Sequence, residues 1–293
     1  MSKILVTGAS GFIGRALASR LKAQGRDVVL MGSADGDIAS QETLAKCAQQ
    51  DIAHVFHLAG KTFVPDSWDD PQAFCQTNVL GTINALEFCR KNHIPMTYVS
   101  AYVYGHPDSL PIEESSAIRP SNPYALTKRL AEEACEFYAS AYDLPVTTIR
   151  PFNVYGIGQA KNFLIPVIIS QVLDAGEKIV VKDLAPRRDY VYLEDLVTAL
   201  LATLDKPDGY RVYNIGSGIS LSVQEVIDAI QGVADTQKKV VCDNVARTNE
   251  LMDVVADISK AGKELGWRPG FSFHAGIENI IRSEREKRGY AAT

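Results

Sequence analysis

The chain has 293 residues, 46% hydrophobic and 22% charged, with a formal net charge of −5. That balance describes a soluble globular protein with room for a full core, in one large domain or two smaller ones. It excludes nucleic acid as an expected partner, since the only charge-rich run, 282–288, alternates acids with bases, and no 18-residue apolar stretch exists to span a membrane.

The first half alternates strand-like and helix-like segments. Ile4–Thr7 reads as a strand, Gly11–Gln24 as a helix, Asp27–Met31 as a strand, Gln41–Gln49 as a helix and His54–Leu58 as a strand. Pro71–Asn92 follows as one long helix, then strand Met96–Ser100, helix Pro123–Tyr142 and strand Val146–Arg150. Strands alternating with helices of this length predict a doubly wound α/β fold with a parallel sheet covered on both faces. Continuous apolar strands such as Val28–Met31 fit burial on both sides. After Pro151 the rhythm loosens. Asn162–Leu173, Val223–Gln231 and Phe273–Arg288 read as helices, and Lys178–Lys182, Tyr190–Val191 and Val212–Ile215 as strands. A smaller second lobe built mainly from the C-terminal third is expected.

Thr7-Gly8-Ala9-Ser10-Gly11-Phe12-Ile13-Gly14 follows the first strand and opens the first helix. Glycines there allow a tight turn and close approach of a pyrophosphate to the helix N-terminus. A dinucleotide site usually carries an acid about 20 residues further on, at the end of the second strand, to bind the adenosine ribose. Gly32-Ser33 occupies that point, with Asp35 and Asp37 slightly later. The missing carboxylate favours NADP(H), with Arg15 available to a 2′-phosphate. Asp35 keeps NAD(H) open as the alternative.

Tyr124 and Lys128 stand four residues apart after Ser121-Asn122-Pro123, a helix-start signal. Positions i and i+4 share a helix face, and an ammonium one turn from a phenol favours the phenolate. The spacing predicts a tyrosine that moves a proton near neutral pH. The five cysteines are scattered and odd in number, which reads as reduced thiols. The apolar run Ile4–Val6 is too short for a signal peptide, so a cytoplasmic location is expected.

Together these residues resemble the extended short-chain dehydrogenase/reductase family, in its nucleotide-sugar epimerase, dehydratase and ketoreductase branch. The resemblance runs nearly the whole chain. Its markers are Thr7–Gly14, the loop His57-Leu58-Ala59-Gly60 that the pattern puts after strand four, and Asn78-Val79-Leu80-Gly81-Thr82. Others are Ser100–Gly105, Tyr124-x-x-x-Lys128, Arg150–Gly156, Arg188–Val191, Asn214–Gly216, Arg247 to Glu250 and Gly266-Trp267.

The resemblance implies a Rossmann domain over 1–152, with 189–215 returning to it, and a nucleotide-sugar lobe over 153–188 and 216–293. It implies that Tyr124 exchanges the proton as hydride moves at the nicotinamide. Lys128 holds the nicotinamide ribose and lowers the tyrosine pKa, and Ser100 bonds the same sugar oxygen. The implied cofactor site comprises Gly8, Ser10, Gly11, Phe12, Ile13, Gly14, Arg15, Gly32, Ser33, Asp37, Ile38, Leu58, Ala59, Gly60, Asn78, Tyr124, Lys128 and Pro151. The implied substrate is a nucleotide-diphosphate sugar held by Thr62, Ser100, Tyr102, Asn153, Asn162, Arg188, Arg247 and Glu250. Arginine suits phosphate because it bonds it bidentately and stays charged. His57 reads as structural, and no metal is expected. Val254 lies near where the family gates N-acetyl sugars by side-chain size. By the same analogy a homodimer forms through a four-helix bundle of 71–92 and 123–142.

Dehydratases of this branch carry acids after the serine, where this chain has Ala101 and Tyr102, so a 4,6-dehydratase is rejected. Reduction of a 4-keto(-6-deoxy) sugar with NADPH is favoured by Gly32-Ser33, by the five residues (32–36) before Asp37-Ile38, and by the short chain. The alternative is an NAD-dependent 4-epimerase, of the UDP-glucose kind. A remote alternative is a non-catalytic cofactor-binding protein, against which Ser100, Tyr124 and Lys128 all stand.

Overall fold

The computed structural model describes residues 2–206, 208–243 and 251–289. In the first half β1 (Lys3–Thr7), α1 (Phe12–Ala23), β2 (Val28–Met31), α2 (Gln41–Ala45) and β3 (Ile52–His57) follow in turn. The short α3 (Val64–Asp69) and α4 (Pro71–Phe74) lead through a π-helical stretch, Cys75–Leu80, into α5 (Gly81–Asn92). Then come β4 (Met96–Val99), α6 (Pro123–Tyr142) and β5 (Val146–Pro151). The second half holds β6 (Asn153–Tyr155), α7 (Leu164–Leu173), β7 (Lys178–Val181), β8 (Arg187–Tyr192), α8 (Leu193–Ala202) and β9 (Tyr210–Ile215). It closes with β10 (Ser220–Ser222), α9 (Val223–Ala234), β11 (Lys239–Cys242), α10 (Ser259–Glu264) and α11 (Phe273–Lys287).

The fold is α/β with a six-stranded sheet ordered β2-β1-β3-β4-β5-β9, parallel throughout. Its two faces are covered separately. One carries a core of α5 and α6 residues including Leu86, Cys89, Ala131 and Cys135. The other carries α1 and α8 residues including Leu17, Leu21, Leu196 and Leu200. The remaining strands form β10-β8-β6 and a β11-β7 pair, enclosed with α7, α9 and α11 in a third core. Of segment 189–215, β9 joins the large sheet and α8 packs on α1, whereas β8 pairs with β6 and β10.

β1, β3, β4 and β5 stand close to their sequence expectations and are largely buried, although β5 includes the polar Thr147, Thr148 and Arg150. Val28–Met31 is not buried on both sides as expected, because β2 is an edge strand and Leu30 is 40% exposed. Three further expectations change. The helix over Pro71–Asn92 is three segments, because the backbone widens into a π-helix at Cys75–Leu80. The His57–Gly60 loop follows the third strand, not a fourth, because only α2 intervenes between β2 and β3. Gln41–Gln49 shortens to α2, and 46–49 forms turns.

Candidate active site

The loops at the carboxyl ends of the parallel strands meet where the strand order reverses, between β1 and β3, the usual ligand crevice of an open α/β sheet. The glycine loop lies there after β1. Gly8 has φ 68°, and a Cβ on it would fall 2.7 Å from Ala59 N and Leu58 C, so only glycine fits. A Cβ on Gly14 would fall 2.1 Å from Gly8 O. The Gly11 amide donates to Gly8 O at 2.9 Å and closes the turn. Phe12 and Ile13 turn into the α1–α8 core, so they face the crevice with backbone only. Thr7 locks the neighbouring loop: its hydroxyl accepts from the Leu58 and Ala59 amides, both at 3.2 Å. His57 is saturated by Thr7 Oγ1 at 2.8 Å and Thr82 Oγ1 at 3.2 Å. Its pKa falls to about 3, first through burial and then through the Lys128 charge, so it is a neutral structural residue.

At the end of β2 the chain has a carboxylate after all. Asp35 folds back and its Oδ2 accepts from the Gly32 amide at 2.7 Å. Gly32 in turn packs against Ser10, whose hydroxyl lies 2.8 Å from where a Gly32 Cβ would be. Arg15 donates to the Ser10 carbonyl and lies near Gly158. Ser33 and Asp37 are exposed, and the Asp37 carboxylate accepts from the Ala39 amide at 2.9 Å within its own turn. Ile38 is a core side chain whose carbonyl accepts from Asn84 Nδ2 at 3.0 Å. Asn84 escaped the sequence reading; its signal was an amide inside an otherwise apolar helical face.

The proton-transfer residues converge on β4. Asn122 caps α6 by accepting from the Ala125 amide at 2.8 Å, and Pro123 opens the first turn. One turn later, Lys128 Nζ donates to Val99 O, the last residue of β4, at 2.6 Å and sits 4.6 Å from the Tyr98 ring centroid. Ser100 follows Val99 directly. Its amide donates to Ile149 O at 2.8 Å, and its buried hydroxyl has no partner among the described residues. Tyr124, half-buried, meets the Phe74 ring edge-on at 6.4 Å.

One sequence expectation fails here. Burial pushes the Tyr124 phenol above its ordinary pKa, and Lys128 does not lower it, because the ammonium is turned onto the Val99 carbonyl. Burial also pulls Lys128 itself down to about 8, opposed chiefly by the Glu132 carboxylate. Asn78 is bonded within the protein. In the π-helical stretch its amide accepts from Lys61 N at 2.8 Å and donates to Lys61 O at 3.1 Å and Thr127 Oγ1 at 3.0 Å. All its donors are spent tying the Gly60–Lys61 loop to α6. Gly60 stands next to the lysine; a Cβ there would lie 3.8 Å from Lys128 Nζ.

The substrate-side residues are dispersed. Pro151 ends β5 and is buried. The Tyr102 hydroxyl donates to Gly105 O at 2.6 Å, so with Ala101 it supplies no acid for dehydration. Asn153 donates to Asp189 O at 3.0 Å. Arg188 is held by the carbonyls of Arg187 and Leu251. Thr62 and Asn162 are exposed. Val254 is core, packed with Tyr104, Ile112, Phe152 and Ala256. Arg247 and Glu250 lie outside the described residues. Among the described residues no cluster suits a metal.

The glycine cradle and the orphaned Ser100 hydroxyl fit a dinucleotide and a carbonyl or alcohol oxygen. Comparison with known proteins agrees. Residues 4–216 match the model of the NAD dependent epimerase/dehydratase family, and the chain belongs to that family, within the extended short-chain dehydrogenases/reductases. It is 31% identical to a putative UDP-glucose 4-epimerase of Methanocaldococcus jannaschii, covering 95% of this chain and 97% of that protein. It is 29% identical to the GDP-6-deoxy-D-mannose reductase of Pseudomonas aeruginosa, covering 95% and 96%. Its fold matches RMD from Pseudomonas aeruginosa complexed with NADPH, with a TM-score of 0.89, 29% identity and coverage of 98% and 100%. It also matches UDP-glucose 4-epimerase from Thermotoga maritima with UDP-glucose, with a TM-score of 0.90, 26% identity and coverage of 98% and 99%. The chain is thus related to nicotinamide-dependent nucleotide-sugar epimerases and reductases.

Proposed function

We propose that this chain exchanges hydride at C4 of a sugar carried on a nucleoside diphosphate, chiefly reducing a 4-keto or 4-keto-6-deoxy sugar with NADPH. The observation that carries the reading is the buried, unpartnered Ser100 hydroxyl beside the strand carbonyl that anchors Lys128. A ketone oxygen at that point accepts a hydrogen bond from Ser100 and a proton from Tyr124. The nicotinamide supplies the hydride when bound. Burial keeps Tyr124 protonated at neutral pH, which suits a group that must give its proton as the ketone becomes an alcohol. Gly8 to Gly14, Leu58 to Gly60 and Lys128 are read as holding the cofactor. Asn153, Asn162, Arg188, Arg247 and Glu250 are read as facing the nucleotide. Residues 1–152 with the returning strand β9 are read as the cofactor domain, the rest as the sugar-nucleotide lobe, and the cytoplasm as the location.

A second reading, a 4-epimerase that retains NAD, is favoured by one observation: the Asp35 carboxylate on the Gly32 amide. A charge there repels a 2′-phosphate and suits a ribose diol. Titration of the purified protein with NADPH and NADH, followed by assay with dTDP-4-keto-6-deoxyglucose, tests the first reading. Stoichiometric NADPH oxidation supports it. Co-purified NAD, with interconversion of UDP-glucose and UDP-galactose without net cofactor change, overturns it in favour of the epimerase.

A further inference from the structure

β4 sends its side chains alternately to the two faces of the large sheet. Thr97 and Val99 face α8: Thr97 bonds to Thr203 at 2.7 Å, and Val99 packs into the α1–α8 core. Tyr98 points the other way, into the core of α5 and α6, and is buried. The Lys128 ammonium lies over its ring, 4.6 Å from the centroid, inside the reach of about 6 Å for a cation–π contact. His57 stands opposite Tyr98 in the parallel register of β3 and β4. Its ring lies 5.9 Å from the Tyr98 ring, the planes 24° apart. His57 is bonded in turn to Thr7 and Thr82, and Thr7 holds the Leu58 and Ala59 amides. A run of buried groups thus leads from the foot of the glycine loop to the lysine.

We propose that Tyr98 is a positioning residue for the cofactor site, the face of its ring holding the Lys128 ammonium charged and in place beside Gly60. This rests on the reading of Lys128 as the residue that holds the cofactor. An ammonium has three donors, and among the described residues its hydrogen bond is to Val99 O, at 2.6 Å. A ring face attracts a cation without a donor–acceptor pair, and most strongly where water is excluded. Lys128 is only 4% exposed. Burial holds the Tyr98 phenol well above its ordinary pKa, so the attraction is that of a neutral ring and not of a phenolate. The other titratable groups around Lys128 are His57 of β3 and Tyr124, Glu132 and Cys135 of α6. Burial pushes His57, Tyr124 and Cys135 toward their neutral forms, and Glu132 is bound by Arg150 of β5 at 2.7 Å. A change confined to the electron density of the Tyr98 ring leaves all four as they are.

The test is NMR titration of the full-length protein labelled at lysine Cε, in wild type, Tyr98→Phe, Tyr98→Leu and a protein with trifluorophenylalanine at position 98. Phenylalanine keeps the ring face, fluorination keeps its shape but withdraws its electrons, and leucine removes it. The Lys128 midpoint is expected to stay near wild type in Tyr98→Phe. It is expected to fall by about one pH unit in the fluorinated and leucine proteins, within the range of a desolvated cation–π contact. From a midpoint of about 8, that fall takes the ammonium at pH 8 from about a half to about a tenth of the molecules. The Kd for NADPH, or for NADH where that binds tighter, is then expected to rise about fivefold at pH 8. The fluorinated ring fills the same space, so it decides the matter if Tyr98→Leu does not fold. A midpoint that falls in Tyr98→Leu but not on fluorination reports packing alone and overturns the proposal, as does a shifted midpoint with an unchanged Kd. A shifted midpoint and a weaker Kd in proteins that turn over no dTDP-4-keto-6-deoxyglucose support this role and count against the reductase reading instead.

Discussion

At the residue scale, the site has opposite demands on its two titrating groups. Tyr124 must carry its proton, and burial ensures it. Tyr124→Phe is expected to lower kcat by about 10²–10⁴ while leaving cofactor affinity within a few-fold, measured by NADPH fluorescence titration and turnover. Lys128 has a folded pKa of about 8, below its unfolded value of about 10.4, so the unfolded chain binds more protons between them. Its burial therefore costs stability below pH 8, and that cost is relieved as pH rises toward 10.4. Activity, which needs the ammonium, is expected to fall above pH 8 over the same range. The two buried histidines act at the other end. His54 and His57 both fall to about 3 through burial, so the stability they allow is fully present above their unfolded value of about 6.5. It is lost as pH falls from there toward 3. Chemical denaturation at pH 7, 5.5 and 4 is expected to show this decline, and His54→Gln to make it shallower.

At the element scale, the π-helical stretch ties down the Gly60–Lys61 loop. Asn78 there satisfies both backbone polar groups of Lys61 and donates to the Thr127 hydroxyl, so Asn78→Ala strands the two Lys61 groups and removes one of the two bonds of Thr127. A loss of about 2–4 kcal/mol in urea denaturation is expected, with a rise in cofactor Kd, since leaving one buried group unpaired costs about 1–3 kcal/mol. This stretch also shows where the sequence was legible and where it was not. The central strands of the large sheet could be read because burial on both faces favours short runs rich in β-branched and apolar residues. The glycine loop and the Tyr124-to-Lys128 spacing could be read because each has a fixed offset from a helix start. The π-helix could not, since winding leaves no mark in composition. Asp35 was noticed but misplaced: distance along the chain hid a turn that returns its carboxylate to the strand end. Glu132 and Arg150 were overlooked because their partnership crosses from helix to strand. Helix α8 passed unseen because its apolar residues, buried against α1, begin immediately after a strand.

At the scale of the whole molecule, α6 presents apolar side chains outward. Leu126, Leu130, Phe137 and Tyr142 are 47%, 38%, 57% and 48% exposed, and the first three recur on one helical face. We read this stripe, with α5 beside it, as the surface that pairs two copies through four helices. Light scattering is expected to give a mass near twice 32.0 kDa for the wild type and a monomer for Phe137→Glu with Leu130→Glu. Among the described residues no helix is long and apolar enough to cross a membrane.

The order of the large sheet also bears on how the protein is made. The strand that covers the outer side of β5 is β9, and Val146 to Pro151 pair with Tyr210 to Ile215. Every residue of β5 is buried, yet on a ribosome its partner arrives only after the chain has left the sheet, built β6, α7, β7 and β8, and come back. For that interval a strand that is wholly buried in the finished fold offers unpaired amides and carbonyls to any neighbour, the condition that leads to edge-to-edge aggregation. A fragment ending at residue 152 is accordingly expected to precipitate, and one extended through residue 215 to be more soluble.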